Sequence, residues 1–171
     1  EPGEPKTGPR SVPIPPVLVT MLREWIDENG RMNMAYYVVV FDGAIDHLWA
    51  AIGLGEHYRQ RTQHGTFAVE AHIIYLAELL MGDRVQVATQ NLGADGKRIH
   101  LAHEMRRSDT DALVAQQEVM LLHVSLLTRR VVPFLPEVRE MIAAVAESHA
   151  GLPRPDWVGR RLTMPTMAPP A

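Results

Sequence analysis

The spacing of hydrophobic residues changes along this chain, and each change predicts a different element. Apolar residues over positions 17–26 predict a first strand. Over residues 33–54 apolar side chains recur every three or four positions, which predicts one long helix that ends at Gly53 or Gly55. The run Val38-Val39-Val40 favours a strand by propensity, but the length of the periodic segment favours a helix. Because the other face of this helix is also rather apolar, we expect it to be buried at the centre of the fold.

Beyond the helix, a polar segment at residues 56–65 is interpreted as a loop, and the apolar period then changes to two. The predicted strands that follow cover residues 66–73, 84–92, 98–106 and 112–127. The tetrapeptide Ala94-Asp95-Gly96-Lys97 predicts a tight hairpin between two of them. Residues 136–150, which open with a proline, predict an amphipathic helix.

This order of elements predicts an α+β fold. A strand, a long helix and about four antiparallel strands joined by short turns are typical of one curved antiparallel sheet wrapped around a long central helix, here with an extra C-terminal helix. A sheet covered by a single helix leaves its outer strands and one face unprotected. We therefore expect the chain to form oligomers.

Prolines concentrate at both ends of the chain. Six of them fall within the first sixteen residues, and residues 165–171 are also rich in proline. We predict an extended arm or linker over residues 1–16, a single domain over 17–158 and a loosely held tail over 159–171. The chain begins with Glu1 rather than a methionine, which suits either a trimmed end or a domain taken from a longer fusion.

Composition restricts the function. A net charge of -3 and a pI near 6.2 argue against a nucleic-acid partner. The sequence shows no long apolar run and no signal peptide, so we expect a soluble protein of the cytoplasm without a membrane partner. The absence of cysteine excludes disulfides, thiolate nucleophiles and most structural zinc sites.

The segment from Asp27 to Tyr37, DENGRMNMAYY, holds the main candidate chemistry. It places a carboxylate in a turn just before the predicted helix, beside unpaired backbone N–H groups and the positive end of the helix dipole. Such a carboxylate can hold water against a polarised carbonyl, which is what hydrolysis by acyl transfer requires. The same composition is also typical of an ordinary turn and N-cap, and both interpretations stay open at this point.

Two motifs carry a resemblance to a known family. Within the pattern D-x-N-G-H-x-N-x-x-x-Y, the residues that match are Asp27, Asn29, Gly30, Asn33 and Tyr37, while Arg31 stands where histidine is common. Further along, Tyr75 and Gly82-Asp83 match a second landmark, with Ala77 in place of a frequent proline. On these residues the chain resembles the hotdog-fold acyl-CoA thioesterases of the 4-hydroxybenzoyl-CoA thioesterase-like group, over residues 17–127.

Three longer sequence segments are similar to one subgroup of this family. FAVEAHIIYLAEL, TQNLGADGKRIHLAHEM and EVMLLHV are similar to the betainyl-CoA thioesterases of carnitine catabolism, which occur alone or fused behind an L-carnitine dehydrogenase domain. The resemblance implies hydrolysis of a small acyl-CoA, with betainyl-CoA as the leading candidate. It also implies a homodimer, or a tetramer built from two dimers.

The resemblance also implies roles for individual residues. Asp27 would be the general base or the nucleophile, Asn29 would orient the water or the carbonyl, and Glu70 would complete the catalytic site from across a subunit interface. Glu70 would either position water or counter the trimethylammonium group; a solvated strand face is its plain alternative. The expected oxyanion site at the helix N-terminus comprises Arg31, Met32, Asn33 and Met34. Arg31 cannot act as a base, so it would stabilise charge or contact the CoA phosphates.

Further residues are expected to form the acyl pocket and the CoA-binding site. The residues expected around the acyl group are Trp25, Tyr36, Tyr37, Phe41 and His72, the aromatic rings because a quaternary ammonium favours them. Packing in the core is the alternative for most of these rings, and an ordinary strand position is the alternative for His72. Lys97 and Arg98, beside the predicted hairpin turn, are expected to bind CoA, with a solvated turn as the alternative.

No metal or redox cofactor is expected, and the coenzyme A thioester enters as substrate. His100 and His103 are three apart on a predicted strand, so they point to opposite faces and cannot form a metal-binding pair. The rival function is a non-catalytic hotdog module that binds acyl-CoA, and Arg31 is the residue that keeps this alternative open.

Overall fold

The computed structural model describes residues 17–165, so the predicted proline-rich arm and the last six residues lie outside the described part. The division into arm, domain and tail stays a prediction. The elements, in chain order, are β1 (Val17–Thr20), a short 3-10 helix (Arg23–Trp25), α1 (Met34–Ile52), α2 (Glu56–Thr62), β2 (His64–Tyr75), β3 (Arg84–Ala94), β4 (Arg98–Arg107), β5 (Leu113–Ser125) and α3 (Pro136–His149).

The five strands form one antiparallel sheet in the order β1-β3-β4-β5-β2. The face towards α1, here called the inner face, carries apolar side chains such as Leu101 and Val119, which share a core cluster with Leu48 of α1. On β5, Glu118 and Met120 flank Val119 in sequence and lie on the opposite, outer face. The sequence-based prediction of an α+β fold with a curved sheet around a long central helix is confirmed.

The ends of α1 are fixed by local chemistry. Asn33 is the N-cap, and its side-chain Oδ1 accepts a 3.0 Å hydrogen bond from the N–H of Ala35. At the other end, Gly53 adopts the left-handed conformation (φ 84°), which glycine accommodates without steric cost. The helix predicted over residues 33–54 is therefore confirmed, with the β-branched run at 38–40 inside it.

Two elements differ from the prediction. The strand predicted over residues 17–26 ends at Thr20, because its partner β3 begins at Arg84 and the chain then turns through the 3-10 helix. The loop predicted over residues 56–65 contains α2 and the start of β2. This helix has one buried anchor, Tyr58, instead of an apolar stripe, so the hydrophobic pattern gave no sign of it.

The segment after α3 crosses the outer face of the sheet. Gln90 of β3 donates to Pro153 O at 3.2 Å, and the N–H of Gly159 donates to the Glu118 carboxylate at 2.6 Å. Between these two ties, Trp157 is buried against the sheet. The outer face, which the sequence left uncovered, is thus partly covered by the chain itself.

None of the described helices has, alone, both the length and the hydropathy of a membrane span. Only α1 and α2 taken together, with a bend of 66° between them, meet such a criterion.

A histidine inside the core makes the fold sensitive to acid. His103 on β4 is fully buried beside Phe41, and Thr89 hydrogen-bonds its Nδ1 at 3.0 Å. Burial lowers the pKa of His103 to about 3, and burial also lowers the pKa of His123 and of His149. These histidines are neutral in the folded state near neutral pH, whereas in the unfolded chain they titrate near pH 6.5.

We predict that the free energy of unfolding falls as pH is lowered from 6.5 towards 3. In that window the unfolded chain binds protons that folded His103 does not, which costs on the order of 1 kcal/mol per pH unit for each such histidine. Urea unfolding of the wild type and of His103→Asn at pH 7.5, 6.0 and 5.0 measures the slope. The variant is expected to show a shallower slope, and identical slopes would contradict the assignment.

Candidate functional site

A cleft of about 660 Å³ opens where the N-terminus of α1 meets the end of β2, and we call it the α1 cleft. The residues that line it are Asp27, Asn29, Arg31, Met32, Met34, Tyr37, Tyr75, Leu76, Ala77 and Glu78. Six of these ten come from the segment that the sequence singled out, and the other four come from the end of β2 and the loop after it.

The loop that carries Asp27 is a small closed turn. The backbone of Asp27 donates to Arg31 O at 2.8 Å and accepts from the N–H of Gly30 at 3.0 Å. Gly30 has a φ of 77°, in the region where a side chain would be strained. The bridge between Ile26 and Met32 closes the turn at its base. The turn therefore holds Asp27 at the wall of the cleft.

Asp27 has one oxygen engaged and one available. Its Oδ1 accepts from the N–H of Asn29 at 2.8 Å and from that of Arg31 at 3.3 Å. Among the described residues, no hydrogen bond reaches its Oδ2. The side chain is half-buried and lines the α1 cleft. One oxygen thus fixes the orientation of the carboxylate, and the other is free to meet a ligand or a water molecule.

The backbone donors at the start of α1 are mostly committed to the fold. The N–H of Met32 donates to Leu79 O at 2.7 Å, and that of Asn33 donates to Trp25 O at 2.9 Å. Ala35 donates to the N-cap side chain. The N–H of Met34, the first residue of α1, has no acceptor within residues 17–165. Of the four predicted oxyanion residues, Met34 is therefore the one with a free donor at the positive end of the helix dipole.

Arg31 and Glu78 join the two walls of the α1 cleft. Their side chains form an ion pair with an N···O distance of 2.7 Å, and they are 63% and 53% exposed. Such an exposed pair adds little stability. The Glu78 loop is held from behind by Arg107, which donates to Glu78 O at 2.8 Å and pairs with Asp83 at 2.7 Å. The roles predicted for Arg31, charge stabilisation or contact with CoA phosphates, stay predictions.

Two tyrosines meet at right angles in the cleft. The ring centroids of Tyr37 and Tyr75 are 5.1 Å apart and their planes are 88° apart. The Tyr37 hydroxyl donates to Ala77 O at 3.2 Å, and the Tyr75 hydroxyl donates to Met34 O at 3.4 Å. Burial raises the pKa of both phenols, so both remain neutral donors at neutral pH. The sequence pointed to Tyr75 as part of a family motif but not as a site residue.

The other predicted acyl-pocket rings lie elsewhere. Phe41 is fully buried in the core between α1 and the sheet. Trp25 and Tyr36 stack on each other, with centroids 5.5 Å apart and planes 16° apart, and both pack at the edge of the same core cluster. None of the three lines the α1 cleft.

Glu70 and His72 lie in a separate pocket on the outer face, which we call the outer pocket. It measures about 280 Å³ and is lined by Glu70, Ala71, His72, His100, Glu118, Met120, Gly159, Arg160 and Arg161. Within one chain, therefore, the predicted catalytic pair of Asp27 and Glu70 does not share a pocket.

Glu118 organises the outer pocket. It accepts from the Gly159 N–H and lies 2.7 Å from Nε2 of His100. Burial alone would raise the pKa of Glu118, but these two hydrogen bonds outweigh it, and the pKa is lowered. His100 lies on the outer face and His103 on the inner face, so their predicted divergence is confirmed. In the described part of the chain, no three histidine or carboxylate side chains are grouped to hold a metal ion.

Lys97 and Arg98 lie at the turn between β3 and β4, where the tight hairpin was predicted. Arg98 pairs with Asp95 through contacts of 2.7 and 2.6 Å, and its hydrogen bond lowers the pKa of that carboxyl. Arg98 thus already has a neutralising partner in its own turn. The CoA-binding role of both residues stays a prediction.

Comparison with known proteins gives a consistent result. Residues 21–142 match the model of the thioesterase-like superfamily. A betainyl-CoA thioesterase of Pseudomonas aeruginosa is 43% identical over 145 residues, which cover 85% of this chain and 91% of the relative. An L-carnitine dehydrogenase/betainyl-CoA thioesterase of Ruegeria pomeroyi is 37% identical over 83% of this chain, and the match spans only 28% of that longer protein.

A solved structure is also similar. A Staphylococcus aureus protein in complex with CoA superposes with a TM-score of 0.82 and 27% sequence identity. The superposition covers 88% of this chain and 94% of that protein.

Proposed function

Since this chain belongs to the thioesterase-like superfamily and is a thioester hydrolase, we propose that it cleaves betainyl-CoA to betaine and free coenzyme A. The fold is the hotdog fold that the sequence predicted. The proposed substrate is supported by the 43% identity to a relative of that name over most of both chains. We place the reaction in carnitine catabolism, because longer relatives join this region to an L-carnitine dehydrogenase.

The observation that carries the proposal is the free Oδ2 of Asp27 in the α1 cleft. In one route this oxygen takes a proton from water, which adds to the thioester carbonyl and expels the CoA thiolate. In the other route it attacks the carbonyl itself, forming a mixed anhydride that water then hydrolyses. Both routes consume one water and yield betaine and CoA. Both need a carboxylate held at a fixed angle, which the Asn29 N–H provides.

The carbonyl oxygen gains negative charge in either route. We propose that it lies against the free N–H of Met34, where the dipole of α1 adds to the hydrogen bond. One such donor contributes about 3 kcal/mol to transition-state stabilisation in well-studied hydrolases. The Asn29 side chain lines the same cleft and is proposed to orient the attacking water.

We propose that the active unit is a homodimer formed through β2. This strand is at the edge of the sheet, paired on one side to β5, and its Phe67 and Val69 side chains are exposed. Val38 and Val39 of α1 are also exposed apolar residues. Glu70 lies on the outer face of β2, and its contribution to the α1 cleft from a second copy stays a prediction. Light scattering is expected to give twice the chain mass of 19.1 kDa at assay concentration; a monomeric mass with full activity would contradict the dimer.

The substrate is tested with a panel of CoA esters: betainyl-CoA, acetyl-CoA, hexanoyl-CoA and benzoyl-CoA. Release of CoA is followed with the thiol reagent DTNB, and the chain adds no background because it has no cysteine. We expect betainyl-CoA to be preferred, with a kcat/KM of about 10⁴ M⁻¹ s⁻¹ or higher. A higher kcat/KM for another ester of the panel would contradict the proposal that betainyl-CoA is the substrate.

The same panel tests the activity itself. If no ester releases CoA faster than in buffer, the result would favour the alternative function, a module that binds acyl-CoA without hydrolysing it. The feature on which this alternative depends is Arg31, which stands where histidine is common in the family motif and cannot act as a base.

A further inference from the structure

We infer that Tyr75, packed against the buried Tyr37, forms the part of the α1 cleft that recognises the quaternary ammonium of the substrate. This inference rests on the proposed function and makes it more specific. It assigns to Tyr75 a role in specificity that neither the family motif nor the relatives' names give it.

The chemistry of the substrate restricts where its cation can lie. Betaine is trimethylated glycine, so one methylene separates the nitrogen from the carbonyl carbon, a distance of about 2.5 Å by ordinary bond geometry. A group that recognises the ammonium must therefore lie beside the atoms that react. It cannot be in a remote pocket.

Tyr75 meets this requirement. Its hydroxyl donates to the carbonyl of Met34, the residue whose N–H is the proposed partner of the thioester oxygen. This long contact of 3.4 Å places the hydroxyl end of the ring next to the start of α1. The residue is 41% exposed, so part of its surface is open to the cleft.

Tyr37 supports the ring of Tyr75 from the core, where Tyr37 is only 4% exposed. Its ring stands at 88° to that of Tyr75, and its hydroxyl is held by Ala77 O on the far side of the cleft. Tyr75 is therefore the ring that offers an exposed aromatic surface in the cleft, and aromatic surfaces attract quaternary ammonium ions. A neutral group of the same shape gains only the apolar part of this contact.

The charge of the cleft favours the same ligand. Its lining holds two carboxylates, Asp27 and Glu78, and one cation, Arg31, which leaves a formal charge of -1. In the outer pocket, Glu70 and Glu118 are balanced by two arginines, and no tyrosine, tryptophan or phenylalanine lines it. Of the two pockets, only the α1 cleft combines aromatic rings with a negative excess.

The test compares betainyl-CoA with 3,3-dimethylbutyryl-CoA, in which a carbon replaces the charged nitrogen and the shape is unchanged. The measured quantity is the ratio of their kcat/KM values. Tyr75→Leu is expected to lower this ratio by about tenfold, because the aromatic face is lost. Tyr75→Phe, the matched control, keeps the face and is expected to retain most of the ratio. A ratio unchanged in Tyr75→Leu overturns the inference.

A second measurement needs no variant. Choline and 3,3-dimethylbutanol differ in the same way, and we expect choline to be the stronger competitive inhibitor of the wild type. Equal inhibition overturns the inference even if Tyr75→Leu does not fold. The proposed function fails separately, namely if the wild type does not cleave betainyl-CoA at all.

Discussion

Replacing Asp27 by asparagine is expected to lower kcat for betainyl-CoA by about 10²- to 10⁴-fold, the usual range for loss of a general base. Asparagine has nearly the same shape, and its oxygen can still accept the N–H of Asn29 that orients the side chain. In the variant, the free and negatively charged oxygen is replaced by a neutral NH2 group, which cannot accept a proton or attack the carbonyl. CoA release under saturating substrate measures kcat, and circular dichroism verifies that the fold is kept.

Glu28→Gln is the matched control for this variant. Glu28 is the next residue, is exposed and does not line the α1 cleft, so its loss removes the same charge from the same loop. We expect its kcat to stay within about twofold of the wild type, since an exposed charge outside the site has a small effect. Near-normal turnover in Asp27→Asn, or an equal loss in both variants, would refute the role of Asp27.

The largest effect on stability is expected at Phe41. Its side chain is 0% exposed and belongs to the core cluster between α1 and the sheet. Phe41→Ala would remove these contacts and leave a cavity, at a cost of about 3–5 kcal/mol in the free energy of unfolding. Urea unfolding followed by fluorescence measures the loss.

Phe41→Leu is the control, because it keeps most of the apolar volume and is expected to cost clearly less. The pair also decides between two roles for this residue. A ring lining the acyl pocket, as the sequence predicted, would change KM with little loss of stability. If Phe41 is a core residue, the free energy of unfolding falls most in Phe41→Ala and less in Phe41→Leu. The KM of the variant that remains folded then changes little.

Much of the fold could be predicted because its signals are local. The three- and four-residue spacing of α1, its Asn33 cap and its terminal Gly53 lie within one segment of sequence. The hairpin at residues 94–97 is equally local. Short elements could not be found in this way: α2 is anchored by Tyr58 alone, and β1 ends early because its partner β3 begins at Arg84, over sixty residues away.

The same distinction explains the candidate site. Asp27, Asn29 and Arg31 meet in one cleft because a single turn carries them. Tyr75 and Glu78 join them only through the pairing of the sheet, which the sequence does not specify.

The alternation of side chains along β2 explains why Glu70 and His72 do not line the α1 cleft. On β2, Glu70 and His72 pair with Met120 and Glu118 of the outer face, whereas Tyr75 pairs with Ala115 of the inner face and so reaches the start of α1. Alternation alone predicted two faces for this strand. It did not reveal which face adjoins the cleft.

The most direct test of the account is the structure of the Asp27→Asn variant with betainyl-CoA bound. We expect the thioester carbonyl carbon beside the side chain of residue 27, its oxygen about 3 Å from the N–H of Met34, and the trimethylammonium group against Tyr75. A thioester bound in the outer pocket between Glu70 and Glu118, with no contact to residue 27, would contradict the account.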